Sequence, residues 1–586
     1  MAFQPIYAIK DRHGRGTLLP YNQGVNDGST LTLDFTTGQL DPRLTFTRAS
    51  DATFINSSGL VQWADANHVQ NSTMLNNTGT RWTQTTSGGT VTINGDGTVR
   101  FNGTGGRATW LQSVGSLASG LPMTFSFRVT SFTNTNLRTT DMFNAGTGFT
   151  GQSYFYTDTT GTTHTLTAFE SLPKSGTNGV GTYSVTATTN ATSANIIFGS
   201  DCNNVGGRSG DVTITEPQLQ YGTVVPRRVY VPNSSIIAAK WDSPRFDYDP
   251  TTLTPRGLLI EGSSSNIALY SEYINPNAAP WNVYWFVAGA GASVTPVSQA
   301  DPAGGTTASR CILGTSGSGR VYNGISTTAG GTYTLSFWAR SVSGTTSLAF
   351  WHFNSATGNS TAVTIGTSWQ RYQVTILGRT GGGFVEFGIA NITVNAATVD
   401  FWGLQVETGS GSGASSYIPT GASQGNRTED SATMSSVASL GFDQYQGTFI
   451  VRGVQNKQGA SFARLLRIAG ATTEPFGMPV NGVTLYGTSR NSSNASIAEA
   501  TRTNTLGQSF AFGMSLDAND AAAAMKVSLN GSGTSASRGF LGPTEAAASF
   551  SFNTNATATN YGCFAVRSVK FFPVTKTLAE LNALTT

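Results

Sequence analysis

The stretch QLQYGTVVPRRVYVP occupies residues 218–232, and LQVETGSGSGASSYIPT occupies residues 404–420. Gln405 aligns with Gln218, Glu407 with Gln220 and Gly409 with Gly222. After loops of unequal length, Tyr417-Ile418-Pro419 aligns with Tyr230-Val231-Pro232. Two stretches that end alike point to two copies of one unit. Working outward, TFSFRVTS (124–131) aligns with TLSFWARS (334–341). Both alternate as strands do, with Phe125, Phe127 and Val129 matching Leu335, Phe337 and Ala339 on one apolar face. Further upstream, TMLNNTGTRWTQ (73–84) resembles LYSEYINPNAAPWNVYW (269–285), with polar turn residues before Trp82 and Trp281. The offset between copies varies along the unit, as it does when insertions fall in loops. The copies are module 1, residues 67–232, and module 2, residues 267–420.

The rest of the composition agrees with sheets. The chain has 586 residues, enough for several domains. Charged residues are 11 %, against roughly 25 % in an average globular protein, while hydrophobic residues at 38 % suffice for real cores. With 69 glycines and abundant Ser, Thr and Asn, polarity comes from hydroxyls and amides, which suit strand faces and tight turns. The expected fold is all-β and multidomain. A net charge of +3 with no basic run disfavours nucleic acid as a partner. No apolar stretch is long enough to cross a membrane as a helix, and the opening MAFQPIYAIKDRHGRG lacks the apolar run of a signal peptide. Cys202, Cys311 and Cys563 are too scattered for a disulfide framework, so synthesis in a reducing cytoplasm is expected.

A unit of this length with many short strands and Gly/Asn/Ser turns reads as a β-sandwich, most simply a jelly roll. PWNVYWF, GGTYTLSFWARSVSG, IGTSWQRYQVT and VDFWGLQVETG followed by SSYIPT together resemble the jelly-roll carbohydrate-binding-like modules of bacteriophage structural proteins. The resemblance covers nearly all of module 2. Module 1 has no counterpart of SWQRY. LTFTRASDATFINSSGLVQWADAN (44–67) and PRFDYDPTTLTPRGLLIE (244–261) look like parts of one element of phage fibre and tail proteins. They imply a small discontinuous β domain, 31–66 plus 233–266, into which module 1 is inserted. After a polar linker (421–440), residues 441–586 resemble a concanavalin-like, laminin-G-type lectin sandwich. The strands QGTFIVRG, FAFGMSLDAND, MKVSLNGS and VRSVKFFPV carry that resemblance. An Asn530-Gly531 hairpin turn is expected, and Thr577 and Glu580 have capping-box spacing for a terminal helix.

Signals for catalysis are weak. His13, His68, His164 and His352 are scattered, and GTSGSGRV (314–321) lacks the lysine and helix of a phosphate loop. Asp247 and Asp249 share a strand face but lie between Pro244 and Pro250, which favours a turn-rich connector over a glycosidase pair. Asp517 and Asp520 alone are too few for calcium. The resemblance implies a structural calcium held where the start and end of a module meet, at Glu272 and Asp400; module 1 has Thr213 in place of Asp400. For sugar, the alternation puts Trp338 and Arg340 on the face opposite Phe337. Module 1 has Arg128 and Thr130 there, so the apolar face is kept while the other face changes.

The resemblance implies a virion structural protein, a tail fibre that binds host cell-surface glycans during adsorption. It would be made in the host cytoplasm, anchored by residues 1–30 to other virion proteins, and homotrimeric, with no catalysis. A head fibre or capsid decoration protein is the alternative location. A polysaccharide-degrading tailspike is the alternative chemistry, but it needs a convergent carboxylate cluster or a long β-helix repeat, and neither is evident.

Overall fold

A computed structural model describes residues 27–586 except 78–80, 104–105, 133–142, 145, 167–178, 202–209, 227–228, 236–237, 316–318, 355–356, 378–381, 394, 410, 471–473, 494, 540–546 and 553–561. The expected anchoring segment thus lies almost wholly outside the described residues, as does Cys202. The protein is all-β: two jelly-roll sandwich modules and a larger C-terminal sandwich, closed by one described α-helix, Leu578–Thr585. That helix carries the expected capping box between Thr577 and Glu580. Asn530 and Gly531 join Met525–Leu529 to Ser532–Ala536, both with positive φ (49° and 80°), as a two-residue hairpin turn of this hand requires.

Module 1 packs a sheet of four described strands against one of seven, and module 2 packs two five-stranded sheets. Phe125, Phe127 and Val129 lie in one core and Leu335, Phe337 and Ala339 in the other, all at most 2 % exposed. The repeated endings have a physical cause. In module 1, Asn67 Nδ2 donates to the carbonyls of Pro217 and Val231, while its Oδ1 accepts from the amides of Val69 and Leu219. In module 2, Asn266 does the same with Leu404, Ile418, Ala268 and Val406. Gln218 Nε2 donates to Gln220 and its Oε1 accepts from Val231 N; Gln405 repeats this with Glu407 and Ile418. The Tyr230 hydroxyl meets Ser72 Oγ at 2.9 Å, and that of Tyr417 meets Ser271 Oγ at 2.7 Å. Each motif ties the last strand of a module to its first turn, satisfying backbone groups that would otherwise be buried without partners. The same frame identifies the equivalent tryptophans. Trp82 Nε1 donates to Asn71 O and Trp285 Nε1 to Tyr270 O. Trp285, not Trp281, is therefore the counterpart of Trp82; Trp281 sits half-buried on a 3-10 turn.

Residues 31–66 and 233–266 do not close a domain of their own. Leu31–Asp34 and Pro255–Glu261 both pair with Cys563–Phe572, and Thr45–Thr47 pairs with Ser431–Met434. Leu31, Leu33, Phe46, Leu258 and Ile260 sit in the same core as Phe449, Phe512 and Phe571. These segments complete the two sheets of the C-terminal sandwich, because their short apolar strands find paired edges there. They also touch each other: Ile55 N donates to Asp247 Oδ1 at 2.9 Å, and Arg245 Nη1 donates to Thr53 O at 2.7 Å. A buried ionic network fastens the junction. Arg245 bridges Glu261 and Asp430, Arg48 reaches Asp430, and Arg427 lies 3.0 Å from Glu261. Burial alone would raise the Glu261 carboxyl, but Arg427 and Arg245 hold it well below the usual range. Removing one partner from such a network leaves an uncompensated buried charge.

Candidate functional site

The strand Tyr333–Ser341 turns Leu335 and Phe337 into the core of module 2 and Trp338 away from it, as alternation requires. That outer face is nevertheless covered. Trp338 is 3 % exposed, edge-on to Trp402 and Tyr417 at 5.5 and 5.3 Å, with the Arg371 guanidinium 4.7 Å from its ring. Val61, from the hairpin of Thr53–Ile55 and Val61–Trp63, joins the same cluster. Trp338 is therefore not an open platform for a glycan. Arg340 remains partly exposed, but its Nε donates to Asp400 at 3.0 Å and its guanidinium lies over Trp369 at 4.9 Å.

The expected calcium pair does not fit either. Asp400 is 1 % exposed, and its two oxygens accept from Arg310 and Arg340. A carboxylate held between two guanidinium groups is already neutralised and has little left for a cation. The carboxylate whose charge reaches Glu272 is Asp301. Burial, then that charge, pushes Glu272 up to about 8, so it is largely protonated at neutral pH. Asp301 itself accepts from the amides of Ala303, Gly305 and Thr307. Among the described residues no three His, Cys, Asp or Glu side chains stand together as a metal site.

The other sheet of module 2 carries the arrangement that the expectation missed. Its strands run Trp285–Ala288, Arg320–Thr327, Gly383–Asn391, Thr346–Asn354 and Thr357–Ile365 in spatial order. Val321, Ile325, Val385, Phe387, Ile389, Leu348 and Phe350 face the core. The alternate positions face outward. Cross-strand register places Phe286 opposite Tyr322, Tyr322 opposite Gly388, and Gly388 opposite Trp351. One row across the sheet thus reads aromatic, aromatic, glycine, aromatic. Phe286 stacks on Tyr322 at 5.3 Å, and Trp351 on Phe353 at 5.2 Å. Phe384, 55 % exposed, stands edge-on to Phe286 at 6.3 Å.

Gly324 makes room for the Phe384 ring, and Gly388 for the backbone of the neighbouring strand. A Cβ on Gly324 would lie 2.4 Å from the Phe384 ring, and one on Gly388 would lie 2.1 Å from Val321 O. Between Tyr322 and Trp351 lies the Arg320 guanidinium, 5.6 and 5.2 Å from the two ring centres. Glu386 Oε2 accepts from Arg320 Nε at 2.9 Å and from Trp351 Nε1 at 2.6 Å, which fixes the indole plane. Burial, then the Glu386 charge, raises the Tyr322 hydroxyl above its ordinary value and keeps it a neutral phenol. The rings of Phe286, Tyr322, Trp351 and Phe353 are half-buried: held, yet open on one side. Flat apolar planes beside fixed polar groups can bind a ligand with C–H faces and hydroxyls.

Module 1 is an internal control. On its corresponding sheet, Ala108, Trp110, Ile196 and Phe198 face the core. Of the alternate positions, Leu111, Asn195 and Ile197 are half-buried and Thr109 is fully buried, and none of the four carries an aromatic ring.

No family model matches the chain, and no curated protein matches it. Among solved structures, it is similar to one described as "CBM4 structure and function", at 18 % identity over 24 % of this chain and 97 % of that one, with a TM-score of 0.20. The tandem CBM22-1–CBM22-2 domain of Paenibacillus barcinonensis Xyn10C matches at 11 % identity over 59 % of this chain and 98 % of that one, with a TM-score of 0.22. The arabinose-bound MgGH51 α-L-arabinofuranosidase matches at 16 % identity over 25 % of this chain, with a TM-score of 0.20; only 26 % of the arabinofuranosidase is covered. Superpositions with TM-scores this low carry no weight for function.

Proposed function

We propose that this protein binds glycans without chemical conversion, and that the outward face of the module 2 sheet bearing Phe286, Tyr322 and Trp351 is the binding surface. The transverse aromatic row carries this reading: large rings fixed at the surface, with Arg320 and Glu386 between and beside them. No such row stands among the described residues of the matching module 1 sheet, which separates it from what the fold needs. The resemblance of the repeated segments to modules of phage structural proteins supports a virion fibre as the setting, with host-surface glycan as the partner. The C-terminal sandwich is read as concanavalin-like on the same ground. Head-fibre location is the second setting.

The test is binding of the full chain to an array of surface polysaccharides and oligosaccharides, compared with Trp351→Ala and with Asn195→Ala in module 1. Trp351→Ala is expected to weaken binding by about 1–3 kcal/mol, the range for losing a large aromatic anchor. Asn195→Ala should leave it unchanged. Binding that survives both Trp351→Ala and Tyr322→Ala removes this face from consideration. Release of reducing ends from a bound polysaccharide would overturn the non-catalytic reading.

A further inference from the structure

The hairpin of Thr53–Ile55 and Val61–Trp63, module 2 and the C-terminal sandwich do not close completely against one another. They leave a cleft of about 340 Å³. Ile55, Trp338 and Tyr417 give it apolar faces, and Asp247, Arg371 and Gln373 give it polar ones. Gln373 and Thr251 are exposed and lie at its mouth, while Trp338, Tyr417 and Asp247 are buried within.

Two polar groups here are incompletely used. Asp247 accepts one hydrogen bond, at Oδ1 from Ile55 N; the nearest cation to its Oδ2 is Arg256 Nη1 at 3.9 Å, beyond hydrogen-bonding reach. Arg371 donates through Nη1 to Ser415 O and through Nη2 to Ser336 Oγ, but its buried Nε has no partner. Asp247 Oδ2 has no protein donor among the described residues and faces the cleft, so a molecule there can supply one. The charges restrict what that can be. Asp247 repels an anion. Arg371 and Arg256 repel a cation, and Asp249 is already paired with Arg256 at 2.8 Å. What fits is neutral, offers donors and acceptors, and has a C–H face for Ile55. The volume is near the lower end for small-molecule sites, roughly 300–1,000 Å³, which suits one ring better than a chain.

We propose that this junction cleft is a second binding site, of pocket type, for a single ring of a neutral sugar or a polyol of that size. It is independent of the aromatic sheet face. The ring would donate a hydroxyl to Asp247 Oδ2 and lay its C–H face against Ile55.

The test is ligand-observed NMR and calorimetric titration of the full chain with glucose, galactose, mannose and N-acetylglucosamine, each separately. Three variants accompany it. Asp247→Asn changes the charged acceptor, Thr251→Trp plugs the mouth from an exposed position, and Trp351→Ala removes the sheet platform. The expected result is saturable millimolar binding of at least one sugar. It should be weakened roughly tenfold or more by Asp247→Asn, as for a hydrogen bond to a charged group, abolished by Thr251→Trp, and unchanged in Trp351→Ala. The proposal is overturned if no sugar saturates the wild-type chain. It is equally overturned if binding survives both Asp247→Asn and Thr251→Trp, or if Trp351→Ala alone removes it, which places the sugar on the sheet.

Discussion

Asp247→Asn should stabilise this protein at neutral pH. The carboxyl is only 5 % exposed, and burial pushes it from 3.8 to about 6. The other influences are smaller. The Ile55 amide and the charges of Arg256 and Arg245 pull it down, and Glu261 pushes it further up. A group whose folded value is raised contributes its stability in full below the unfolded value, here near 3.8, and loses it as the pH climbs through about 6. At about 1.4 kcal/mol per unit, a rise of about two units makes the ionised form destabilising by about 3 kcal/mol. Asparagine keeps an acceptor for Ile55 N, loses the charge, and leaves Arg256 its closer partner Asp249. Its amide donors need partners of their own, which reduces the gain to about 1–3 kcal/mol. Calorimetric and urea unfolding of both proteins at a series of pH values should show the variant more stable at neutral pH and equal to wild type near pH 4. Hydrogen exchange at the Ile55 amide should slow in parallel. A variant less stable at every pH, or a difference flat with pH, would refute the reasoning, because either result means that the charge is not what burial penalises there.

Asn266→Ala should cost module 2 about 2–4 kcal/mol, since a fully buried amide with four backbone partners is lost and those partners are left unsatisfied. Asn67→Ala should do the same to module 1, and two calorimetric transitions would separate the effects. Glu272 is expected to weaken module 2 as the pH rises through about 8, and Glu272→Gln should remove that dependence. Because Asp400 is held by two arginines, added calcium should leave the thermal midpoint of module 2 unmoved; a calcium-dependent rise would contradict this account of that carboxylate.

The repeat was legible because it is written in the residues that do local, obligatory work. Gln218 and Gln405, Tyr230 and Tyr417 hold the same backbone groups in both copies, so no other side chain serves as well. Strand alternation likewise told which way Trp338 points. What alternation does not carry is what lies beyond the face. Arg371, Trp402 and Tyr417 of the same module supply part of the cover, and the rest comes from Val61, more than two hundred residues earlier in the chain, which nothing near Trp338 announces. The same holds for Leu31–Asp34, whose sheet partner lies near the far end of the chain. A four-residue strand specifies an apolar stripe and not which edge will receive it. The aromatic sheet face did leave a signal. In TSLAFWHFN and GFVEFGIAN, large apolar residues occupy both parities of the alternation, whereas a strand with one wet face should show them on only one. Trp351, Phe353 and Phe384 are the surplus. The choice of Trp338 followed the repeat alignment, which compares the modules at their best-matched strand and not at the strands where they differ most.

That difference is the stronger guide to function. Two modules in one chain share solvent, synthesis and folding conditions, so a feature present in both is what the sandwich requires. The buried tryptophan whose indole donates to a first-turn carbonyl is such a feature, at Trp82 and Trp285. So is the tyrosine that meets a serine hydroxyl. A feature present in one copy alone, on an outward face, is not explained by folding. Surface tyrosine and tryptophan expose apolar area to water, and the matching row of module 1 carries Thr83, Leu111 and Ile197 in place of rings. Gly388 strengthens the point: it leaves Tyr322 and Trp351 without a side chain between them, and the space is taken by a guanidinium held by Glu386. Glycine in a strand interior weakens the strand. At 388 a side chain would meet the Val321 carbonyl, so the close approach of the strands requires the glycine, and the two rings and the cation occupy the gap it leaves.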